Sequence, residues 1–276
     1  MSTKIVDLYE RKIAILIEDL CLWVLSQPHL NSRIDDEFLR GFLRSCRYDL
    51  NETKIHLDTF YTFKNTIPSI LTERNVNKKI LDICQMGISV FLPVSLNDKD
   101  VRLNFTKYPL LPRSSTFTYA DVIKLFFMLA EVNMIESRNS DPQAAVVYVI
   151  DLDKSTFRQS LKIDISFSKN ISQFIQNGLP LQIDEVHFIN VSKYFKCILR
   201  MACSFLNADL KKKFHAHSSM DTFYKYVPQE FLPIEYGGKN GNIATCIKRQ
   251  MESLVKFEQY FEEDVMYGVN EFLRRK

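Results

Sequence analysis

The stretch AVVYVIDLD, residues 145–153, holds five apolar residues in unbroken succession from Val146 to Ile150. A short continuous run of this kind predicts an interior strand of a largely parallel sheet. Downstream, EVHFINV (185–191) and the short FHAH (214–217) are further strand candidates, with helical stretches over 167–177 and 192–212 between them. Strand–helix–strand alternation indicates an α/β architecture with right-handed crossovers. Upstream, the helix DVIKLFFMLAEVNMIES (121–137) is apolar nearly all round, so it is expected to be buried on more than one side. Thr118 and Asp121 form a capping-box signal at its start.

Further out the pattern changes. Residues 86–118 hold short β-like runs and three prolines. Before them, Ile5, Leu8, Ile13, Leu16, Leu20 and Val24 recur with a helical period until Pro28. A second helix carries Phe38, Leu39, Phe42 and Leu43, and Asn51 is the expected N-cap of a third that runs to Pro68. Up to about residue 85 nothing reads as strand. The expected division is therefore a helical N-terminal domain, 1–85, followed by an α/β domain, 86–276. The second closes with an amphipathic helix over 243–265, marked by Ile243, Ile247, Leu254 and Phe261.

Bulk properties exclude several classes. The chain has 276 residues, a net charge of +3 and a pI near 8.4, too mild a basicity to argue for nucleic acid. No run of 18 apolar residues exists, so no transmembrane helix is expected. Asp7, Glu10 and Arg11 interrupt the start in a way that a signal peptide would not. Six scattered cysteines without a C-x-x-C pair read as reduced core residues of a cytoplasmic protein. No nucleophile elbow, phosphate-binding loop, dinucleotide fingerprint or zinc-protease motif is present. His215 and His217 lie two apart on a strand and read as hydrogen-bonded core histidines. Asp151 and Asp153 read as caps of the turn after the first strand. An enzyme is not expected, nor a cofactor or a metal.

The segment SKYFKCILRMACSFL (192–206) stands out. Its polar residues form one narrow stripe, Lys193, Lys196, Arg200 and Ser204, and the rest is apolar or small. A surface helix with one buried face is not this apolar. Two readings fit: a helix sunk between layers, or a lid that closes over an apolar cavity and touches a membrane or partner with its other face. Lys211, Lys212 and Lys213 follow at once, as a solvated helix end or as a contact for anionic headgroups.

Four motifs, DDEFLRGFLRSCRYDL (35–50), HFIN (187–190), KKKFHAHSS (211–219) and FLPIEYGG (231–238), stand in the order and spacing of the CRAL-TRIO family, which the chain resembles over residues 30–240. The tocopherol- and retinaldehyde-binding branch is the most similar. The resemblance implies a helical N-terminal unit, then a mostly parallel sheet flanked by helices, with an internal hydrophobic pocket and a gate helix. It implies a soluble carrier of one hydrophobic ligand of the lipid, tocopherol, retinoid or carotenoid class. The alternative is a non-transferring lipid-sensing or scaffold module that presents lipid to a protein partner. By position the pocket would be lined by Leu129, Asn133, Val146, Tyr148, Ile150, Phe157, Ile171, Phe174, Ile175, Leu179, Ile183 and Val186. The gate would contribute Phe195, Ile198, Leu199, Ala202 and Phe205. Arg44, Lys211, Lys212 and Lys213 would face headgroups in transient membrane contact, and the chain would act as a monomer. Where the family carries further basic residues this chain has Gln182, Asp184 and Asp209, which implies a weak response to phosphoinositides. The adjacent glycines of LPIEYGG (232–238) are expected to serve a structural turn.

Overall fold

The computed structural model describes residues 3–96, 101–107, 117–137, 145–154 and 164–274, with side chains from residue 8 onward. Five helices come first: α1 (Thr3–Ser26), α2 (Asp36–Ser45), α3 (Leu50–Thr66), α4 (Pro68–Leu71) and α5 (Lys78–Gln85). Their apolar stripes meet in a core of aromatic rings, where Phe38, Phe42, Phe60 and Tyr61 are buried together. The cap of α3 is Asp49 rather than Asn51: its carboxylate accepts the Glu52 N–H at 2.9 Å. Arg47 and Tyr48 both take left-handed φ values, 52° and 61°, and this tight turn starts the helix two residues early. The helical unit also holds a strand that its sequence does not signal. Leu30–Asn31 (β1) pairs antiparallel with Gly268–Val269 (β7), a partner from the far end of the chain.

The main sheet has the order β2–β3–β4–β5–β6, from Ser89–Phe91, Arg102–Lys107, Val146–Asp151, Ile183–Ile189 and Phe214–Ala216. β2 runs antiparallel to β3, and every other pairing is parallel. β4 lies at the centre, as its uninterrupted apolar run predicts. Val146 and Tyr148 face one layer with Ile183 and Val186 of β5. Val147 and Val149 face the other, against Leu103, Phe105, Phe223 and Leu232. The apolar helix α6 (Tyr119–Glu136) opens with the full Thr118–Asp121 capping box. Leu125, Met128, Leu129 and Val132 pack on the sheet, whereas Phe127 and Met134 enter the N-terminal helical core. That double burial accounts for a helix with almost no polar face.

Two expected helices are each broken in two. Residues 192–212 form α8 (Lys193–Ser204) and α9 (Ala208–Lys212), following α7 (Ile165–Asn177). Asn207 makes the break: its side chain accepts the Leu210 N–H at 2.8 Å and starts a new helix. The closing helix likewise divides at Phe257 into α11 (Ile243–Lys256) and α12 (Glu258–Glu263), after the short α10 (Met220–Phe223).

A buried ionic cluster fastens the helical unit to the rest. Arg74, between α4 and α5, pairs with Glu131 of α6 and, at 2.7 Å, with Asp264 after α12. Lys64 of α3 reaches Asp264 at 2.9 Å and donates to the Tyr267 carbonyl at 3.0 Å. The Tyr260 hydroxyl donates to Glu131. Every charge in the cluster has a partner, which buried charges require.

Candidate functional site

The LPIEYGG segment forms a tight turn beside the carboxyl end of β4. Gly237 has φ +74°, and a Cβ on Gly238 would lie 2.0 Å from the Leu232 carbonyl oxygen. Tyr236 donates its hydroxyl to Asp151 at 2.5 Å, and Glu235 accepts the Ile243 N–H at 2.8 Å at the start of α11. The other oxygen of Asp151 accepts from the Asp153 N–H at 2.9 Å and the Asn190 side chain at 2.8 Å. This carboxylate therefore ties together the ends of β4 and β5 and the glycine turn. Burial and the adjoining Asp151 push the Tyr236 phenol well above its ordinary range.

The histidines occupy the same face of the sheet as that turn. His187 contacts His217 through Nδ1 at 3.1 Å and Glu185 through Nε2 at 3.0 Å, and His215 stacks on His187 with ring centres 5.1 Å apart. Burial, then the two neighbouring rings, lower His187 to about 3. His217 is thus a buried, hydrogen-bonded core histidine as read, and His187 joins it. His215 departs from that reading, being half-buried, 3.4 Å from Glu185, and without a hydrogen-bond partner at Nε2. Elsewhere, Cys46, Glu52 and His56 approach within 4.8 Å of one another. Burial pushes the Cys46 thiol up to about 11, so it is neutral and a poor ligand as it stands.

The opposite face of the sheet is apolar. Leu129, Val146, Tyr148, Ile183 and Val186 form one buried group there, with Ile150 and Ile175 half-buried against it. The Tyr148 ring packs 5.4 Å from Phe126, and its hydroxyl is buried without a hydrogen-bond partner. Burial raises this phenol well above its usual range. Phe126, Phe188 and Phe214 pack half-buried on the same group, and none was among the expected lining residues. The period of two from Val186 to Phe188 along β5 is the signal that points to one of them.

Other expected lining residues lie elsewhere. Phe174 and Leu179 are buried in the helical core, Phe174 between Phe60, Phe63 and Phe127, and Ile171 packs half-buried against that core. The Asn133 side chain accepts a hydrogen bond from Arg102. Phe157 lies outside the described residues.

Helix α8 starts at the Ser192 cap and buries a single side chain, Phe195. Phe195 meets Leu152 and Val191, with Ile150, Phe188, Ile198 and Leu199 packed around them. Ala202 and Phe205 are half-buried and Tyr194 is 61% exposed. The helix therefore sits over the carboxyl ends of β4 and β5 and is not sunk between layers.

The basic residues divide. Arg44 is buried and donates to the Met134 and Ser137 carbonyls at the end of α6, at 2.6 and 2.5 Å. Lys213 donates to the Ile183 carbonyl at 2.5 Å. Lys211 and Lys212 are exposed, with Lys212 3.1 Å from Asp209. Gln182, Asp209, Lys213 and Arg47 line a cleft of about 290 Å³ between α2, α7 and α9.

The CRAL/TRIO domain matches residues 91–238, and the Pinta-like UBA domain matches residues 10–81. The alpha-tocopherol transfer protein-like protein of Mus musculus is 24% identical over 221 residues, 79% of this chain and 63% of that protein. Clavesin-2 of Rattus norvegicus is 24% identical over 240 residues, 80% of this chain and 68% of the relative. The chain thus spans 63% of the length of the tocopherol-transfer-like relative. The crystal structure of Sfh5 superposes with a TM-score of 0.54 at 13% identity, over 93% of this chain and 96% of that one, a likeness of fold alone.

Proposed function

The chain belongs to the CRAL/TRIO domain family, and from that premise we propose that it carries one hydrophobic molecule between the apolar face of β4 and β5, helix α6 and a movable α8. The observation that carries this reading is the Tyr148 hydroxyl. It is buried in an apolar wall with no partner. An unmade buried hydrogen bond costs about 1–3 kcal/mol. A guest that is greasy along its length and polar at one point relieves that cost. The half-buried Phe126, Ile150, Ile175, Phe188 and Phe214 supply apolar surface around it. Covering such surface contributes about 25 cal/mol per Å², which suits a lipid, tocopherol, retinoid or carotenoid.

Helix α8 is the gate in this reading. One buried anchor, Phe195, holds it, and few buried contacts mean a low cost of local opening. Residues 1–85 form a supporting helical unit and 86–276 the binding domain. Tyr194, Lys193, Arg200, Lys211 and Lys212 are exposed on or just after the gate and are the surface for transient membrane contact. Arg44 and Lys213 are engaged with backbone carbonyls, and Asp209 and Gln182 line the cleft beside Lys213, so phosphoinositide headgroups gain little there. The guest is carried, not transformed, and the carrier works in the cytoplasm. No helix among the described residues is long and apolar enough to cross a membrane.

Native mass spectrometry of protein from a eukaryotic host tests this. The expected result is one lipid per chain, lost more readily from Tyr148→Phe, and unloaded no faster by phosphoinositide vesicles than by plain ones. A chain that neither retains a lipid nor takes one up from vesicles overturns the proposal.

A further inference from the structure

Helix α1 carries two apolar stripes. Ile13, Ile17, Leu20 and Val24 are buried in the helical core. Leu8, Ile15 and Leu22 recur every seven residues, with Leu25 beside them, and are 57, 59, 59 and 67% exposed. At 3.6 residues per turn the centres of the two stripes lie roughly 170° apart, so the second is not an edge of the first. Single exposed apolar residues are ordinary on a protein surface. A line of them at a seven-residue spacing, opposite the core, has the form of a helix–helix seam.

The charges beside the seam identify what covers it. Arg11 and Lys12 precede Ile15, Glu18 and Asp19 follow it, and all four are exposed. Lys12 and Asp19 flank one side of the stripe, and Arg11 and Glu18 flank the other. We propose that α1 is the contact of a two-fold homodimer in which two copies of this helix pair antiparallel about Ile15. The axis then sets Leu8 against Leu22 of the second copy. Lys12 falls opposite Asp19 and Arg11 opposite Glu18, each twice by symmetry, as an isologous interface requires. A parallel pair would instead place the basic residues of both copies at one level, and like charges repel. An anionic lipid surface favours basic residues along the whole polar edge, and Glu18 and Asp19 work against that. The monomer implied by the family resemblance is therefore set aside in favour of a weak dimer. One helix pair covers less than the ~1,200–2,000 Å² of a stable standard interface, so association in the micromolar range is expected.

Sedimentation velocity on the full chain across the micromolar range tests the proposal. A monomer–dimer equilibrium is expected. Ile15→Glu, which puts two carboxylates on the axis, should weaken it at least about tenfold with an unchanged circular dichroism spectrum. Lys12→Glu and Asp19→Lys should each weaken it, and the double variant should recover it. A monomer at every concentration overturns the inference. So does a dimer indifferent to Ile15→Glu, a double variant without recovery, or vesicle binding that Ile15→Glu abolishes while the free chain stays monomeric. Lipid loading of the monomeric variant separates this inference from the carrier reading.

Discussion

Position 238 leaves no room for a side chain. A Cβ there would sit 2.0 Å from the Leu232 carbonyl oxygen, which is backbone and cannot swing aside. At Gly237 the obstacle is the end of the flexible Gln229 side chain, and the cost comes from φ +74°. Gly238→Ala should therefore lose about 3 kcal/mol or more and Gly237→Ala about 1 kcal/mol, read from urea midpoints at constant slope. Equal losses would contradict the close-approach account. The glycine pair is legible in a chain with only seven glycines. Its anchor is not, because nothing in the order of residues links Tyr236 to Asp151. The same holds for Asn51 and Asp49, both sound capping residues. Two consecutive left-handed residues chose between them.

Among the elements, β4 and α6 are read correctly from their patterns because each is buried on two sides and is mostly apolar. The 192–212 stretch shows the limit of that argument. Its apolar content suits a helix between layers and a lid equally, and what distinguishes them is how much neighbouring protein covers it. In the structure only Phe195 is buried within α8. Phe195→Ala should speed amide hydrogen exchange across residues 193–204 by at least about tenfold and leave β4 and α6 protected. Exchange that rises equally in all three elements would mean that α8 belongs to the global core. Arg44 and Lys213 make the related point for charge. Their positive sign is visible in sequence, but the carbonyls at the end of α6 and on β5 claim their hydrogens.

For the molecule as a whole, acid should act in two stages. His187 is held at about 3, and His217 is lowered too, by burial and then by neighbouring histidines. The unfolded chain binds these protons first, so the stabilisation is complete above about pH 6.5 and falls as pH drops towards the folded values. The slope is at most about 1.4 kcal/mol per pH unit for each histidine. Asp264 follows at lower pH. Burial alone raises it, but Arg74 and Lys64 hold it below the ordinary carboxylate range, and that stabilisation is lost below about pH 4. Urea unfolding at stepped pH should show stability declining from near pH 6.5, with the decline reduced in His187→Asn; a flat profile to pH 5 would refute the histidine account. The buried ionic cluster predicts that helices and sheet unfold together.

By itself the sequence determined the α/β class, the centrality of β4, the helical start and the family, since each rests on local period or on motifs in register. Tertiary structure alone decided which apolar residues face the candidate site and which fill the core. Phe174 and Tyr148 are both buried aromatics, yet one meets three other rings and the other keeps an unpartnered hydroxyl. Hydrophobicity drives a side chain out of water without naming its neighbours, and only the packing of distant segments supplies them.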